Sequence, residues 1–280
     1  MAYLKKYLLH FVACLLLGIA VPEARSQAPI DTLDVLFVGN SYVYFNNLPG
    51  IVEGIAASLG ETVIRSSVHT HGGYTLREHA DDAHVAELLT AARDNGQSWD
   101  YVLLQEQSTL GARFSQAQSG KLGDPEEFFL ATRDLVELLR RYGASAVLYM
   151  TWAKEQYPDQ IASLSAAYNH IGQELSIPVA PVGIAWNIVN TNRPDISLFT
   201  GDGSHPAPAG SYLAACVIYS QLTGRSARGA AREIVGLSWN RNGVLEDGAE
   251  SMLVSLSSGV AQYLQEVAFE TVAKETAPSN

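Results

Sequence analysis

Cysteine is nearly absent from this chain: two in 280 residues, Cys14 and Cys216, too few for a disulfide framework. Positive charge is scarce too, 18 Lys and Arg against 29 Asp and Glu, a formal net charge of −11. So acidic a surface argues against nucleic acid and anionic membranes as partners. There is no Gly-x-Ser-x-Gly elbow, which disfavours the ordinary α/β-hydrolase fold. No glycine-rich dinucleotide or phosphate fingerprint occurs, and neither an internal repeat nor a linker divides the chain.

What is present begins with an export signal. Lys5 and Lys6 precede an apolar run over 7–21 that only His10 interrupts. Ala24-Arg25-Ser26 then offers small residues at the positions a signal peptidase reads. The expectation is a signal peptide over 1–26, cleaved before Gln27, and a single domain over 27–280. Its loss takes the formal charge from −11 to −13. The mature protein is then periplasmic or secreted, with no stable membrane association. The run is short for a membrane span, and retention as an anchor is the alternative. Phe11-Val12-Ala13-Cys14 faintly resembles a lipoprotein box, but the apolar run continues past Cys14.

The whole chain is 47% hydrophobic, enough for one sizeable core. Val35-Leu36-Phe37-Val38 reads as a buried parallel strand. It ends in Gly39-Asn40-Ser41, followed by a helix that starts at Asn47-Leu48-Pro49 and stops at Gly60. Further strands are expected over 62–68, 99–104, 146–150 and 178–182. Between them, polar residues over 77–94 suggest one or two exposed helices, and a glycine- and glutamine-rich loop reaches Gly123. Asp124-Pro125-Glu126-Glu127 opens a helix that Gly143 ends. Ile161, Leu164, Tyr168, Ile171 and Leu175 share a helical face, as do Tyr212, Cys216 and Tyr219, which makes Cys216 a buried small residue. A last helix is expected from Asp247, carrying Leu253, Leu256, Val260, Tyr263 and Val267. Strands alternating with helices predict an α/β fold with one doubly wound parallel sheet.

The polar clusters all fall just after strands: Asn40-Ser41 after the first, Gly72-Gly73 after the second, the 105–107 block after the third, Trp152 after the fourth. In a parallel sheet those ends share one edge, where ligands bind. Alone, Asn40-Ser41 is better read as a pair of turn formers, and Asp202-Gly203-Ser204-His205 as a turn with a capping Asp. Together they supply what acyl transfer by serine requires. Ser41 is the candidate nucleophile, His205 the base and Asp202, three residues earlier, the group that orients it. The amides of Ser41 and Gly73 can donate to an oxyanion, with a side-chain amide from Gln107, or alternatively Gln105.

The series Gly39-Asn40-Ser41-Tyr42, Gly73, Gln105-Glu106-Gln107 and Asp202-Gly203-Ser204-His205 resembles the SGNH (GDSL-type) hydrolase family over most of the mature chain. The resemblance implies a flavodoxin-like three-layer α/β/α sandwich that works without metal or organic cofactor. It makes Ser41 the nucleophile, Gly73 an oxyanion donor, His205 the base and Asp202 its partner. Two departures stand out. The family's usual Gly-Asp-Ser is Gly39-Asn40-Ser41, and its Gly-x-Asn block is Gln105-Glu106-Gln107. A Gln and a Glu in that block, as in some carbohydrate esterases of the superfamily, imply sugar esters. The longer Gln arm and Glu106 are expected to narrow the acyl side of the cleft and favour acetyl.

His69 and His71 form a His-x-His pair, with His79 and His84 nearby in sequence. No carboxylate falls at ligand spacing beside the first pair, and zinc wants three protein ligands. The sequence therefore assigns no metal and places these residues on a polar loop beside Gly73. Trp152 is expected at the cleft, where its indole can stack on a sugar ring. The substrate class is a small-molecule or glycan ester. A lipid or thioester hydrolase is the alternative within enzymes, although no long apolar lid is found. A non-catalytic glycan-binding domain is the alternative outside them, and the intact Ser41, His205 and Asp202 speak against it.

Overall fold

In the computed structural model, residues 31–109, 125–240, 243, 244, 246, 248 and 250–276 are described. The expected signal peptide, the expected loop to Gly123 and the expected caps Asp124 and Asp247 lie outside them. Nine residues of β1 (Asp31–Gly39) pair in parallel on one side with β2 (Thr62–Thr70) and on the other with β3 (Tyr101–Leu104). Beyond β3 come β4 (Ser145–Tyr149) and the two-residue β5 (Val179–Ala180), again parallel. The strand order β2-β1-β3-β4-β5 is doubly wound, and the chain reverses direction across the sheet between β1 and β3. Such a reversal opens a crevice at the carboxyl ends of those strands.

Helices cover both faces because β1 alternates two apolar sets. Val35 and Phe37 enter a core with α2 (Leu48–Leu59), α7 (Val182–Asn192), α8 (Pro208–Thr223) and α9 (Ser258–Glu275). Leu36 and Val38 face the opposite core, built from α3 (Leu76–Asp81), α4 (His84–Asp94), α5 (Pro125–Arg141) and α6 (Ile161–Leu175). The expected three-layer sandwich is therefore present. A one-turn helix, α1 (Ser41–Tyr44), leads from β1 into a short 3₁₀ turn.

The helix boundaries follow local chemistry. Asn47 caps α2, its side chain accepting from the Gly50 amide at 3.0 Å, and Gly60 ends it in the left-handed region with φ 68°, which an L side chain rarely adopts. Cys216 is buried in α8, as its helical face suggested, and desolvation pushes its thiol well above the usual range.

Three expectations need correction. The fifth strand is only Val179–Ala180, and Val182 starts α7 instead of ending a strand. Pro181 removes a ladder donor at that point and supplies the last residue before the helix. The last helix does not begin at Asp247: it starts at Ser258, with the Ser257 hydroxyl accepting from the Val260 amide. Leu253 belongs instead to β7 (Ser251–Ser255), which pairs antiparallel with β6 (Glu233–Gly236) as a separate two-stranded sheet. Ile234 of β6 lies against α2 so closely that a Cβ on Gly54 would come within 2.7 Å of it. Among the described residues, no helix is long and apolar enough to cross a membrane.

Candidate active site

Four chain segments meet at the crevice between β1 and β3. Asn40 joins three of them. Its backbone amide donates to Gln105 Oε1 at 2.9 Å, its side-chain amide donates to the Tyr74 carbonyl at 2.8 Å, and its Oδ1 accepts from the Tyr42 amide at 3.2 Å. Gly39 is required at the turn, since a Cβ there would sit 2.5 Å from Gln105 Oε1. The result is a fixed turn that presents Ser41 as the first residue of α1, where the amide has no intrahelical acceptor.

The fourth segment brings His205. Gly203 has φ 65°, and a Cβ on it would meet Gln156 at 2.2 Å, so only glycine fits. Around it, Trp152 Nε1 donates to the Ser204 carbonyl at 3.0 Å, and the Asn46 side chain donates to the Pro206 carbonyl at 2.9 Å. Asn46 itself is left-handed, φ 55°, a conformation that asparagine tolerates. Phe45 stacks on the imidazole with ring centroids 4.3 Å apart.

The three sequence-predicted catalytic side chains are brought into register. His205 Nε2 is 2.9 Å from Ser41 Oγ, and His205 Nδ1 is 2.5 Å from Asp202 Oδ2. The other carboxylate oxygen of Asp202 accepts from the Ser204 amide at 2.8 Å, the His205 amide at 2.9 Å and the Thr200 hydroxyl at 2.9 Å. Partial burial opposes the Asp202 charge. The hydrogen bonds from the imidazole, the two amides and Thr200 outweigh it and hold the carboxyl far below the usual carboxylate range. The aspartate is thus a fixed anion beside Nδ1, which leaves Nε2 as the basic nitrogen facing the serine.

The cleft encloses about 390 Å³ and includes Ser41, Tyr44, Gly73, Gln107 and His205 in its lining. Gly73, with φ 75°, offers its backbone there without a side chain in the way. The two candidate glutamines separate clearly. Gln105 is fully buried, its Oε1 taken by the Asn40 amide and its Nε2 donating to the Glu106 carbonyl at 2.6 Å. It is a brace for the nucleophile turn, which corrects its candidacy as an oxyanion donor. Gln107 lines the cleft, and its Oε1 is held by the Thr109 amide at 2.8 Å and the Thr109 hydroxyl at 2.7 Å. That leaves its NH₂ as the end available to a ligand.

Two other expectations fail at the site. Trp152 is 1% exposed, stacked with Tyr42 at 4.5 Å and with Trp186 at 3.8 Å. Its indole is a structural plate that holds the Ser204 carbonyl and presents no open face to a sugar. Glu106 is fully buried and does not narrow the cleft. Its carboxyl accepts from the Leu76 amide at 3.1 Å and the Gln107 amide at 2.5 Å. Desolvation raises its pKa to about 8, against the pull of those two amides.

Sequence reasoning also missed Tyr44. Its hydroxyl hydrogen-bonds Ser41, and burial pushes its phenol upward, so it stays neutral. It stands one helical turn beyond the serine, a spacing that was readable once α1 was recognised as helical. Also missed was how four histidines gather behind Gly73. The rings of His71, His79 and His84 lie 5.1, 5.0 and 4.9 Å from that of His69.

No family model matches the chain. Curated relatives, the beta-dihydromenaquinone-9 omega-hydroxylases of Mycobacterium tuberculosis and Mycobacterium bovis, are 33% identical over 130 residues, 45% of this chain. The match spans only 24% of their length. Among solved structures, a Slackia heliotrinireducens protein classed among SGNH hydrolases is 26% identical with TM-score 0.53, covering 69% of this chain and all of that one. A DUF4886 family protein from Bacteroides uniformis has TM-score 0.63 at 17% identity, covering 89% of this chain and 98% of that one. An acetyl-xylooligosaccharide esterase variant from Geobacillus has TM-score 0.53 at 14% identity, over 69% and 96%. The five-stranded parallel sheet with helices on both faces matches the fold of the SGNH hydrolase neighbour.

Proposed function

We propose that this chain is an exported serine esterase that removes small acyl groups, acetyl foremost, from carbohydrate. The observation that carries the reading is the continuous chain Ser41 Oγ–His205–Asp202, with links of 2.9 and 2.5 Å. Attack of Ser41 Oγ on the ester carbonyl passes the serine proton to His205 Nε2, and the imidazolium is stabilised by the fixed Asp202 anion. The negative charge that develops on the carbonyl oxygen is met by the amides of Ser41 and Gly73 and by the Gln107 NH₂. Collapse breaks the bond to the sugar oxygen, which takes the proton from His205 and leaves. Water then gives a proton to His205, attacks the acyl-serine, and releases the carboxylic acid as Ser41 regains its proton.

The carbohydrate part of the reading is supported by the surroundings of the triad. Lys154 lines both the catalytic cleft and a larger cavity of about 550 Å³ whose polar lining includes Asn187, Asn190 and Thr191, suited to a hydroxyl-rich acceptor. The acyl side is confined by Tyr44 and Phe45. Export is supported by the composition of the first 26 residues, and N-terminal sequencing of the secreted or periplasmic protein should begin near Gln27. A p-nitrophenyl ester series tests the acyl preference. Acetyl should be cleaved much faster than butyryl or octanoyl, and acetylated sugars faster than p-nitrophenyl acetate. Faster cleavage of octanoyl esters would replace the carbohydrate reading with the lipid or thioester one.

A further inference from the structure

Behind the loop that carries Gly73 sits a cluster the esterase chemistry does not use. His79, on α3, is 0% exposed, and His69, near the end of β2, is 6% exposed. His79 Nε2 lies 2.9 Å from the Gly39 carbonyl, and since a carbonyl only accepts, Nε2 carries the proton. Nδ1 is then a bare lone pair, buried with no hydrogen-bond partner. His69 Nε2 is likewise buried without one, and the nearest acidic atom is Asp82 Oδ2 at 3.5 Å. Asp82, the C-cap of α3, uses its other oxygen to accept from the His84 amide at 3.0 Å, which aims Oδ2 at the histidines. Two orphaned imidazole nitrogens in one buried pocket are costly unless something binds them.

From this arrangement we infer that His69, His79 and Asp82 form a binding site for a divalent transition-metal ion of the zinc class. The three ligand atoms lie within 4.8 Å of one another. A tetrahedral zinc site holds its ligands roughly 3.4 Å apart, so side-chain rotations of about 1 Å complete it. His71, with its ring 5.1 Å from that of His69, or a water supplies the fourth position. The His79 Nε2–H bond to Gly39 is the outer contact that orients a metal-bound histidine. Zinc-class ions prefer this nitrogen-rich set, whereas calcium and magnesium require oxygen ligands.

The site lies where an ion would stiffen the catalytic loops. His71 immediately precedes Gly72-Gly73, and His69 stands two residues before His71. The Gly39 carbonyl accepts both from His79 and from the His71 amide at 3.2 Å, one residue before Asn40-Ser41. An ion here is a positioning element for the nucleophile turn and the Gly73 loop, and touches no reacting atom.

The test uses the full chain, stripped with chelator and titrated with Zn²⁺ and Co²⁺ by calorimetry, absorption and thermal melting. The expected result is one ion per chain at micromolar affinity or tighter, a raised Tm, and visible absorption of tetrahedral Co²⁺. Binding should persist in His205→Ala, which separates this site from the triad. It should weaken at least 100-fold in Asp82→Asn and His69→Gln, both chosen because His79→Gln also breaks the Gly39 bond and can impair folding. Zinc binding unchanged in Asp82→Asn and His69→Gln, or lost only in His205→Ala, overturns the assignment, as does no binding tighter than millimolar by the wild-type chain. None of these readouts depends on esterase activity.

Discussion

Two histidines in this molecule differ in a way that explains both of their neighbourhoods. His205 has each ring nitrogen engaged, one with Asp202 and one with Ser41, and its side chain keeps 29% of its surface open to solvent. His79 is sealed, with one nitrogen bound to a backbone carbonyl and the other without a hydrogen-bond partner among the described residues. A histidine that moves protons needs a defined route at both nitrogens and access to substrate and water. A buried histidine with one idle nitrogen can do neither, and the proposed ion gives that atom a partner. On the proposed reading, the same residue type serves turnover at position 205 and anchors an ion at position 79.

The largest effects should fall on the exposed member of the pair. His205→Ala should lower kcat by about 10⁴-fold or more while leaving Tm nearly unchanged, because no other described base touches Ser41 Oγ. Asp202→Asn should cost less, since the imidazole stays in place but loses its orienting anion. If Asp202→Asn matches the wild type in kcat, Asp202 is a loop brace and the contrast with His79 weakens. Comparable rates are to be read at several pH values, since an Asp202 effect on the imidazole should change the profile as well as its height.

Next in size is the division between the two glutamines. Gln107→Ala should lower kcat by about 10²-fold with little change in KM, the pattern of a donor used in the transition state. Gln105→Ala should lower Tm first, because it removes the buried acceptor of the Asn40 amide and leaves that donor unsatisfied. A thermally neutral Gln105→Ala with a 10²-fold loss of kcat would reverse the roles.

The smallest effect concerns Glu106, raised to about 8 from its usual 4.5. Below pH 4.5 the group is protonated folded and unfolded alike. As pH rises toward 8, the unfolded chain ionises it while the fold resists, so stability is lost over that window. Glu106→Gln, which does not titrate, should melt with a flatter pH dependence between about 5 and 8. Parallel wild-type and Glu106→Gln curves would mean that the carboxyl is ionised in the fold.

The continuous apolar Val35-Leu36-Phe37-Val38 run made the central strand legible, and the polar residues after successive strands brought Ser41, Gly73 and the 105–107 block to one edge, because strand ends in a parallel sheet converge by geometry alone. Asp202 and His205 follow no strand of that sheet and were read from their spacing at a helix entrance. Local signals failed where tertiary contacts decide. Trp152 follows a strand as a cleft residue would, but Tyr42 and Trp186 close on it from elements 110 and 34 positions away. The β6–β7 pair could not be read, since its residues gain their meaning only against the distant α2 and α8. Asp82 stood too far from His69 in sequence to count as a ligand, and only the turn between α3 and α4 brings it back.

The central claim is that Ser41, activated by His205, is the nucleophile. Fluorophosphonate treatment followed by peptide mass mapping tests it directly. One adduct per chain on the peptide containing Ser41 is expected in the wild type, with none in Ser41→Ala at equal Tm. Undiminished labelling of Ser41→Ala at another residue would contradict the account.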